Sequence, residues 1–208
     1  MHGEMPEQLA EAGYCPHCGA AAEWRLPPND HRQRAVCTKC GHITYVGPQL
    51  LVLTVVFADG HLLLLRRGQD PYRGKLAVPG GYVEAGESLE AAAIRETEEE
   101  VGLVLDREAL LPFMHMSLPA INQVQVVFVA KLAQRVPLRP SFPEVLEAGW
   151  YRQNEIPLNE LWEPAFDYDV DQIFARATSE RFDYYQRTED SMRLISDGVR
   201  ITHIWPRR

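Results

Sequence analysis

Three carboxylates of this chain fall on neighbouring positions of one predicted helix. Glu96 precedes Glu99 and Glu100 by three and four residues, so helical periodicity brings them together. Clustered carboxylates repel one another and raise one another's pKa. A divalent cation removes this repulsion, because Mg²⁺ and Mn²⁺ prefer hard oxygen ligands. A metal on these carboxylates, beside the glycine-rich stretch at Gly80-Gly81, suits chemistry on phosphates.

The helix that must position these acids has clear ends in the sequence. Ser88 is a good N-cap residue, Leu89–Val101 contains no Gly or Pro, and Gly102 suits a left-handed C-terminal position. An ion pair between Arg95 and Glu99 has i,i+4 spacing. The apolar flank expected to face the core comprises Ala93, Ile94, Thr97 and Val101. The acids lie on the adjoining flank, which either borders a cleft or is simply a solvated acidic face.

The spacing of these residues resembles the Nudix box, Gly-x5-Glu-x7-Arg-Glu-U-x-Glu-Glu-x-Gly-U, in which U is a bulky aliphatic residue. The fixed positions are matched by Gly81, Glu87, Arg95, Glu96, Glu99, Glu100 and Gly102. Leu103 supplies the last aliphatic position, whereas Thr97 replaces an aliphatic residue with a β-branched one of similar size. The resemblance implies an α/β/α sandwich with a mixed sheet, and hydrolysis of a nucleoside diphosphate linked to another moiety.

The same resemblance implies roles for individual residues. Glu96, Glu99 and Glu100 would bind the metal together with a backbone carbonyl at Gly80 or Gly81. Glu87 would support the site through Arg95 or a metal-bound water. From the chemistry of phosphate transfer we expect two or more Mg²⁺ ions, with Glu96 as a metal ligand or a base.

Four cysteines near the N-terminus form two CxxC pairs. Cys15 and Cys18 are separated from Cys37 and Cys40 by eighteen residues, and a glycine follows each pair. This spacing predicts a structural zinc ribbon with a closed four-thiolate shell, which leaves no open position for catalysis. Disulfides are the alternative, as is a ribbon that binds nucleic acid.

The chain has 208 residues and a formal net charge of −8. That charge argues against an extended nucleic-acid footprint and against anionic membrane surfaces. No apolar run is long enough to span a bilayer, and the first thirteen residues lack a secretory pattern. We therefore expect a cytoplasmic protein whose partner is a small nucleotide substrate, with no membrane association and nucleic acid disfavoured.

Further candidate site residues lie outside the box. Leu50–Phe57 and His61–Leu65 read as strands joined by an Asp59-Gly60 turn, and Arg66 and Arg67 follow the second strand as candidate phosphate contacts. More strands are predicted at 76–81, 110–117, 123–132 and 147–151, and a last helix at 164–177. Glu144 and Glu147, between the core strands and Trp150, are candidate general bases or members of a solvated loop.

A second resemblance covers the ribbon and the box together. An N-terminal four-cysteine ribbon joined to such a domain, and a segment like Ser117–Val124, resemble the zinc-ribbon Nudix group that contains ADP-ribose and FAD pyrophosphatases. The Ser-Gln-Pro-Trp-type motif of the NADH pyrophosphatases is absent, which disfavours NADH. NADH or dinucleoside polyphosphates remain an alternative, as does a non-catalytic nucleotide sensor or RNA-binding protein.

We divide the chain into a tail at 1–13, a zinc ribbon at 14–47, a Nudix domain at 48–178 and an extension at 179–208. Asp197-Gly198 predicts a two-residue hairpin in the extension, with Met192 opposite His203. Since an isolated hairpin is marginal in water, its apolar face must pack on the core, the ribbon or a second subunit. Related pyrophosphatases are often homodimers, so we expect a dimer or an inter-domain contact here.

Overall fold

The structure is a computed structural model that describes residues 12–162, 170–171, 173–175, 184–187, 191–195 and 203–206. The chain divides into two compact units. One holds the described residues up to Gln49 together with Pro119–Gln123, and the other holds the remainder. In the described residues, no helix combines the length and the apolar character needed to cross a membrane.

The first unit is built on a three-stranded antiparallel sheet. Its strands are β1 (Ala22–Arg25), β2 (Arg34–Cys37) and β3 (Ile43–Thr44), in the order β1-β2-β3. Gly19 and Gly41, which follow the two CxxC pairs, have φ of 70° and 72°. Only glycine adopts this left-handed conformation without a steric penalty, so both glycines allow the turns that bring the cysteines together.

The segment Pro119–Gln123 clusters with the first unit although it joins two strands of the second. The Asn122 side chain donates a 3.1 Å hydrogen bond to Gly47 O, and Gln49 N donates to Asn122 O at 2.8 Å. These bonds fix the segment to the chain that leaves the ribbon. The division predicted from sequence at 14–47 and 48–178 did not anticipate this insertion.

Within the described residues, the second unit contains a mixed ten-stranded sheet and one long helix. The strands are β4 (Gln49–Ala58), β5 (His61–Arg67), β6 (Leu76–Ala77), β7 (Gly80–Tyr82), β8 (Leu110–Leu118), β9 (Gln123–Leu132), β10 (Val145–Tyr151), β11 (Tyr184–Arg187), β12 (Ser191–Ile195) and β13 (His203–Pro206). Their order is β10-β5-β4-β9-β8-β11-β12-β13, with β6 paired to β5 and β7 paired to β4. Short 3-10 turns occur at Arg107–Ala109, Pro119–Ile121, Gln153–Glu155 and Leu158–Glu160.

Strands β4 and β5 pair only near their connecting turn, at Phe57–Leu62 and Ala58–His61. Farther along, β6 pairs with β5 and β7 pairs with β4, so the segment from Leu76 to Tyr82 enters between them. Thr54 N donates to Pro79 O at 2.8 Å, which holds the bend between β6 and β7. The glycine-rich stretch is thereby placed in the opening between two buried strands.

Both faces of the sheet are covered, which is why β4 and β5 are nearly continuous apolar runs. One face packs Val52, Val56, Leu63 and Leu65 against helix α1 (Leu89–Val101). The opposite face packs a second cluster that includes Val55, Leu62, Leu64, Ile173 and Phe174. The predicted α/β sandwich is confirmed, while the last helix, predicted at 164–177, lies partly outside the described residues.

The C-terminal strands extend this sheet. β11 pairs in parallel with β8, β12 pairs antiparallel with β11, and β13 pairs antiparallel with β12. The hairpin register predicted from Asp197-Gly198 is wrong, because Met192 pairs with Trp205 and Arg193 pairs with His203. A register irregularity between Met192 and Arg193 displaces the pairing. The other edge of β12 pairs with β11, a contact that turn propensity cannot predict. The predicted turn itself, within residues 196–202, lies outside the described residues.

Candidate functional site

Helix α1 begins and ends as its sequence predicts. The Ser88 side chain accepts a 3.2 Å hydrogen bond from Ala91 N, a cap that contributes about 1 kcal/mol. Gly102 has φ of 69°, and its N–H caps Glu98 O. Thr97 is fully buried, and its hydroxyl donates to Ala93 O at 2.7 Å. The hydroxyl therefore has its hydrogen-bond partner within the helix, and the rest of Thr97 packs as an aliphatic residue would.

Arg95 is the centre of the acidic cluster. Its Nε and one terminal nitrogen bind both carboxylate oxygens of Glu87, at 2.9 and 3.0 Å. The other terminal nitrogen donates to Glu96 at 2.7 Å and to Glu99 at 3.0 Å, and a further bond reaches Tyr82 O at 3.0 Å. These contacts lower the pKa of Glu87 and raise that of Arg95. One planar guanidinium thus orients three acids of the box.

Glu100 is the buried acid of the site, with 7% of its surface exposed. Burial raises the pKa of its carboxyl to about 8, even though Gly80 N donates a 2.8 Å hydrogen bond to Oε2. The charges of Glu96 and Glu144 raise this pKa further, and that of Arg67 opposes the shift. Glu96, Glu144 and Arg67 therefore lie close enough to Glu100, at the end of α1, for their charges to shift its pKa.

Glu96 lies directly against Gly81. A Cβ at Gly81 would collide with the Glu96 carboxylate, so no other residue fits there without moving the acid. Burial raises the pKa of Glu96, Arg95 opposes the increase, and the charges of Glu99 and Glu144 add to it. Gly80 is more strictly constrained, because a Cβ there would collide with the backbone oxygen of Val52, which cannot move aside as a side chain can. Close approach of neighbouring atoms therefore favours glycine at both positions, where φ is not positive, and requires it at Gly80.

Glu99 differs from the other two acids because 60% of its side chain is exposed. Its oxygen is held by Arg95 on one side, and the rest of the carboxylate faces solvent. Within the part of the chain that the structure describes, the four cysteine thiols are the potential ligands whose atoms all lie within 4.8 Å of one another. The carboxylate oxygens of the box glutamates lie farther apart than these thiols. Arg95 donates hydrogen bonds to oxygens that a cation would bind.

Glu144 is brought to the cluster by a loop that is fastened to α1. Ser141 N donates to Glu100 O at 3.0 Å, Val145 N donates to Ser141 O at 2.9 Å, and Gly68 N donates to Glu144 O at 2.7 Å. A Cβ at Gly68 would collide with Pro143 O, so this approach of two loops also requires glycine. The sequence suggested Glu144, but gave no signal for Gly68 or Ser141, whose role lies in backbone hydrogen bonds.

The two arginines at the end of β5 have different surroundings. Arg66 is engaged by Glu147 at 2.6 Å, by Glu160 at 2.7 Å and by Gly74 O at 2.7 Å. Arg67 instead donates from Nε to Pro71 O at 3.2 Å, and its charge acts on Glu100. Alternation along a strand explains the difference, because consecutive side chains point to opposite faces. The structure therefore brings Arg67 and Glu144 to the acids and pairs Arg66 with Glu147.

The four cysteines form a separate cluster in the first unit. Cys15 Sγ lies 3.7 Å from Cys40 Sγ, and Cys18 Sγ lies 3.5 Å from Cys37 Sγ. A tetrahedron with Zn–S bonds of ~2.3 Å has edges of about 3.8 Å, so these spacings fit zinc and are far from the ~2.05 Å of a disulfide. The N–H groups of Cys40 and Lys39 donate to Cys37 Sγ and lower the pKa of this thiol to about 6. These bonds favour the thiolate form at Cys37, whereas contacts with the neighbouring thiols raise the pKa of Cys18 to about 12.

Comparison with protein families identifies two matches in this chain. The family described as NUDIX domain matches residues 47–171, and the family described as Nudix N-terminal, a zinc ribbon, matches residues 13–46. The first match covers helix α1 with its carboxylates, the loop that carries Glu144, and the end of β5 at Arg67. The second covers all four cysteines.

Two curated relatives and one solved structure illustrate the similarity. An ADP-ribose pyrophosphatase of Methanocaldococcus jannaschii is 40% identical over 67 residues, which is 32% of this chain and 40% of that protein. An NAD-capped RNA hydrolase NudC of Chromobacterium violaceum is 30% identical over 146 residues, 69% of this chain and 51% of that protein. The chain thus spans about half the length of these relatives. A crystal structure of a NUDIX hydrolase from Nitrosomonas europaea has a TM-score of 0.73 and 28% identity, covering 85% of this chain and 99% of that chain.

Proposed function

The chain belongs to the Nudix family, and from this premise we propose that it hydrolyses the pyrophosphate bond of a nucleoside diphosphate linked to another moiety. The products are a nucleoside monophosphate and the phosphorylated second moiety. The observation that carries the proposal is the set of acids around Glu100. Its carboxyl is buried, bonded to Gly80 N, and surrounded by the charges of Glu96, Glu144 and Arg67. Such a group of acids is costly in isolation and becomes favourable when a cation is bound.

The box glutamates are proposed to hold the divalent metal. Nudix membership implies a divalent cation, and Mg²⁺ or Mn²⁺ fits a site of carboxylate oxygens with the backbone carbonyl of Gly80. When bound, such a cation neutralises phosphate oxygens and lowers the pKa of water. Arg95 and Glu87 position the ligands, because Arg95 ties Glu87 to Glu96 and Glu99. Arg95 sets the orientation of these carboxylates before a metal binds. A bound metal would then compete with Arg95 for their oxygens.

Glu144 and Arg67 are proposed to act on the substrate directly. Glu144 is exposed, and its charge acts on both Glu96 and Glu100, so it can accept a proton from the attacking water. As the water oxygen bonds to phosphorus, the bridging P–O bond breaks and its electron pair leaves with the other phosphate. Arg67 has its Nε on Pro71 O and is proposed to bind a phosphate oxygen through its terminal nitrogens. Arg66 and Glu147, which pair with each other, are the weaker candidates for these roles.

We propose ADP-ribose or FAD as the substrate. The ribbon-plus-box arrangement is the basis, and the similarity to an ADP-ribose pyrophosphatase supports it. The alternative is a substrate that contains NAD, because other relatives are named as NAD-capped RNA hydrolases. NADH and dinucleoside polyphosphates belong to the same test. A non-catalytic sensor or an RNA-binding role is less consistent with the arranged acids.

The test measures nucleoside monophosphate release from ADP-ribose, FAD, NADH, a dinucleoside polyphosphate and NAD-capped RNA. The full chain is assayed with Mg²⁺, with Mn²⁺ and with EDTA. We expect metal-dependent release from ADP-ribose or FAD, abolished by EDTA and restored by either cation. Faster cleavage of NAD-capped RNA or NADH would favour the alternative. No release from any of the five would overturn the proposal.

The zinc ribbon, the assembly and the compartment are also proposals. Cys15, Cys18, Cys37 and Cys40 are proposed to hold one structural Zn²⁺, given the spacing of their thiols. A homodimer is proposed as the assembly, as expected from the related pyrophosphatases. The cytoplasm is the proposed compartment, because cysteines that hold zinc must stay reduced, as thiols do there.

A further inference from the structure

Tyr72 is a large aromatic residue displayed on the loop between β5 and β6. Tyr72 is 53% exposed, although the strands on either side of its loop are largely buried. Its φ is 69°, in the left-handed region that bulky residues rarely adopt. Such a conformation persists only where neighbouring contacts determine it, and it often marks a functional position.

Backbone and side-chain hydrogen bonds hold the loop in this conformation. Arg67 N donates to Lys75 O at 2.9 Å, Gly74 N donates to Arg67 O at 2.8 Å, and Lys75 N donates to Tyr72 O at 3.0 Å. The Arg66 guanidinium adds a 2.7 Å bond to Gly74 O. The backbone of Tyr72 is therefore held in place, so binding a ligand to its ring costs little backbone conformational entropy.

Trp162 supports the ring from one side. The two ring centroids are 5.9 Å apart, with an edge-to-face angle of 71°. Trp162 N donates to Leu76 O at 2.7 Å, and the indole packs against both core clusters. Tyr72 thus contacts an indole that packs on the core, while 53% of the residue stays exposed.

The loop is joined to the acidic cluster at two points. Arg67, whose charge acts on Glu100, donates to the carbonyl of Pro71, the residue before Tyr72. Gly68, which begins the loop, donates to the carbonyl of Glu144. Tyr72 thus follows directly after a residue that Arg67 binds, which places it in the loop next to the proposed phosphate contact.

We propose that Tyr72 is a specificity-determining residue that stacks against the planar heteroaromatic ring of the nucleotide. The proposal rests on the proposed function, because it places the phosphates at Arg67 and the acids. Two rings of this chemistry occur in the candidate substrates, adenine and flavin. A rigid aromatic surface suits both, since every base has a π-face and stacking needs no hydrogen-bond pattern.

Phe142 provides a matched comparison. It is the exposed aromatic of the neighbouring loop, 78% exposed and two residues before Glu144. Within the described residues, Phe142 has no ring contact of the kind that joins Tyr72 to Trp162. Its φ is also not in the left-handed region. We therefore expect Phe142 to contribute little to ring binding.

The experiment measures binding without requiring turnover. AMP, FMN and ribose 5-phosphate are titrated calorimetrically into the full chain and into Tyr72→Ala, Tyr72→Phe and Phe142→Ala, whose melting temperatures are also measured. Ribose 5-phosphate lacks the ring and reports the phosphate contact alone. In the unchanged protein we expect AMP or FMN to bind at least about tenfold more tightly than ribose 5-phosphate.

Tyr72→Ala should remove most of that difference, while Tyr72→Phe and Phe142→Ala should keep it. A loss for AMP alone assigns adenine to Tyr72, and a loss for FMN alone assigns flavin. Unchanged AMP and FMN affinity in a folded Tyr72→Ala would overturn the proposal. So would an equal loss for ribose 5-phosphate, an effect found only in Phe142→Ala, or a lack of AMP and FMN binding to the unchanged protein. Failure of the proposed hydrolysis with intact ring binding would affect the function and leave the role of Tyr72 standing.

Discussion

Gly80 and Glu100 are joined by a 2.8 Å hydrogen bond from the glycine N–H to the carboxylate Oε2. The bond links the bend between β6 and β7 to the last turn of α1. Gly80 cannot carry a side chain, because a Cβ would meet Val52 O, and Glu100 is almost fully buried. The acid is therefore held by the sheet as well as by its own helix, and the chemistry of the cluster depends on both.

The single variants Glu99→Gln and Glu100→Gln should each have a kcat at least about 100-fold lower, because each lacks a proposed metal ligand. Mutation of residues that only hydrogen-bond to metal ligands already lowers metal affinity or activity about 10–100-fold. Glu98→Gln is the control, since Glu98 is an exposed neighbour on the same helix. Steady-state kinetics at saturating Mg²⁺ and melting temperatures provide the readouts. Unchanged activity in both variants would remove the assignment of the site.

The metal-free protein should lose stability as the pH rises. The pKa of Glu100 is raised from 4.5 to about 8, so the folded state binds this proton more tightly than the unfolded state. The stabilisation is complete below about pH 4.5 and is lost as the pH rises through about 8. In EDTA, the melting temperature should therefore fall between these pH values more steeply than in Glu100→Gln. Parallel curves for the two proteins would contradict the predicted pKa effect.

Arg95→Lys should reduce kcat and weaken activation by Mg²⁺, because a lysine cannot bind Glu87 bidentately and reach Glu96 and Glu99 at once. In a double-mutant cycle with Glu87→Gln, the coupling free energy between the two changes should be about 0.5–3 kcal/mol, as for residues in one network. Arg107→Lys is the matched control, since Arg107 pairs with Glu90 at 3.6 Å on the surface. Additive effects of the Arg95 and Glu87 changes would argue against a positioning role for Arg95.

The purified chain should contain about one zinc ion. Cys37→Ser should lose it and destabilise the residues before Gly47, while part of the Mg²⁺-dependent activity remains. His42→Ala should keep its zinc, because the four thiols complete the shell without the nearby histidines. Elemental analysis and thiol titration measure both variants. A protein without zinc, or one with a disulfide between the CxxC pairs, is the result that contradicts this prediction.

Truncation after Thr178 should increase association or change the oligomeric state. It removes β11–β13 and leaves the edge of β8 unpaired, and an open edge is a template for pairing with other chains. Truncation after Arg187 is the control, because it keeps β11 beside β8. Light scattering and activity are the readouts. If the shorter chain keeps the state and solubility of the full chain, the extension is dispensable for both.

Local spacing was sufficient to predict several elements of this protein. The bounds of α1, from Ser88 to Gly102, follow from capping and from the absence of Gly and Pro between them. The strand at Gln123–Leu132 was predicted over the same residues as it occupies. The four cysteines lie together as their spacing predicts. In each case the determining interactions join residues close in sequence or use a fixed chemical geometry.

Tertiary structure decided which of the similar candidates reach the acids. Arg66 and Arg67 are adjacent in sequence, and only the direction of each side chain from β5 sends Arg66 to Glu147 and Arg67 toward Glu100. Glu144 joins the cluster through Gly68, a partner that is 76 positions away. Met192 pairs with Trp205, with a register irregularity next to it that turn propensity does not predict. The sequence by itself therefore determined the helix, the fold family and the residues available for chemistry, because these depend on local periodicity and spacing. Which of those residues meet, and what the extension pairs with, was decided only in the folded sheet, where contacts join segments whose separation no local pattern encodes.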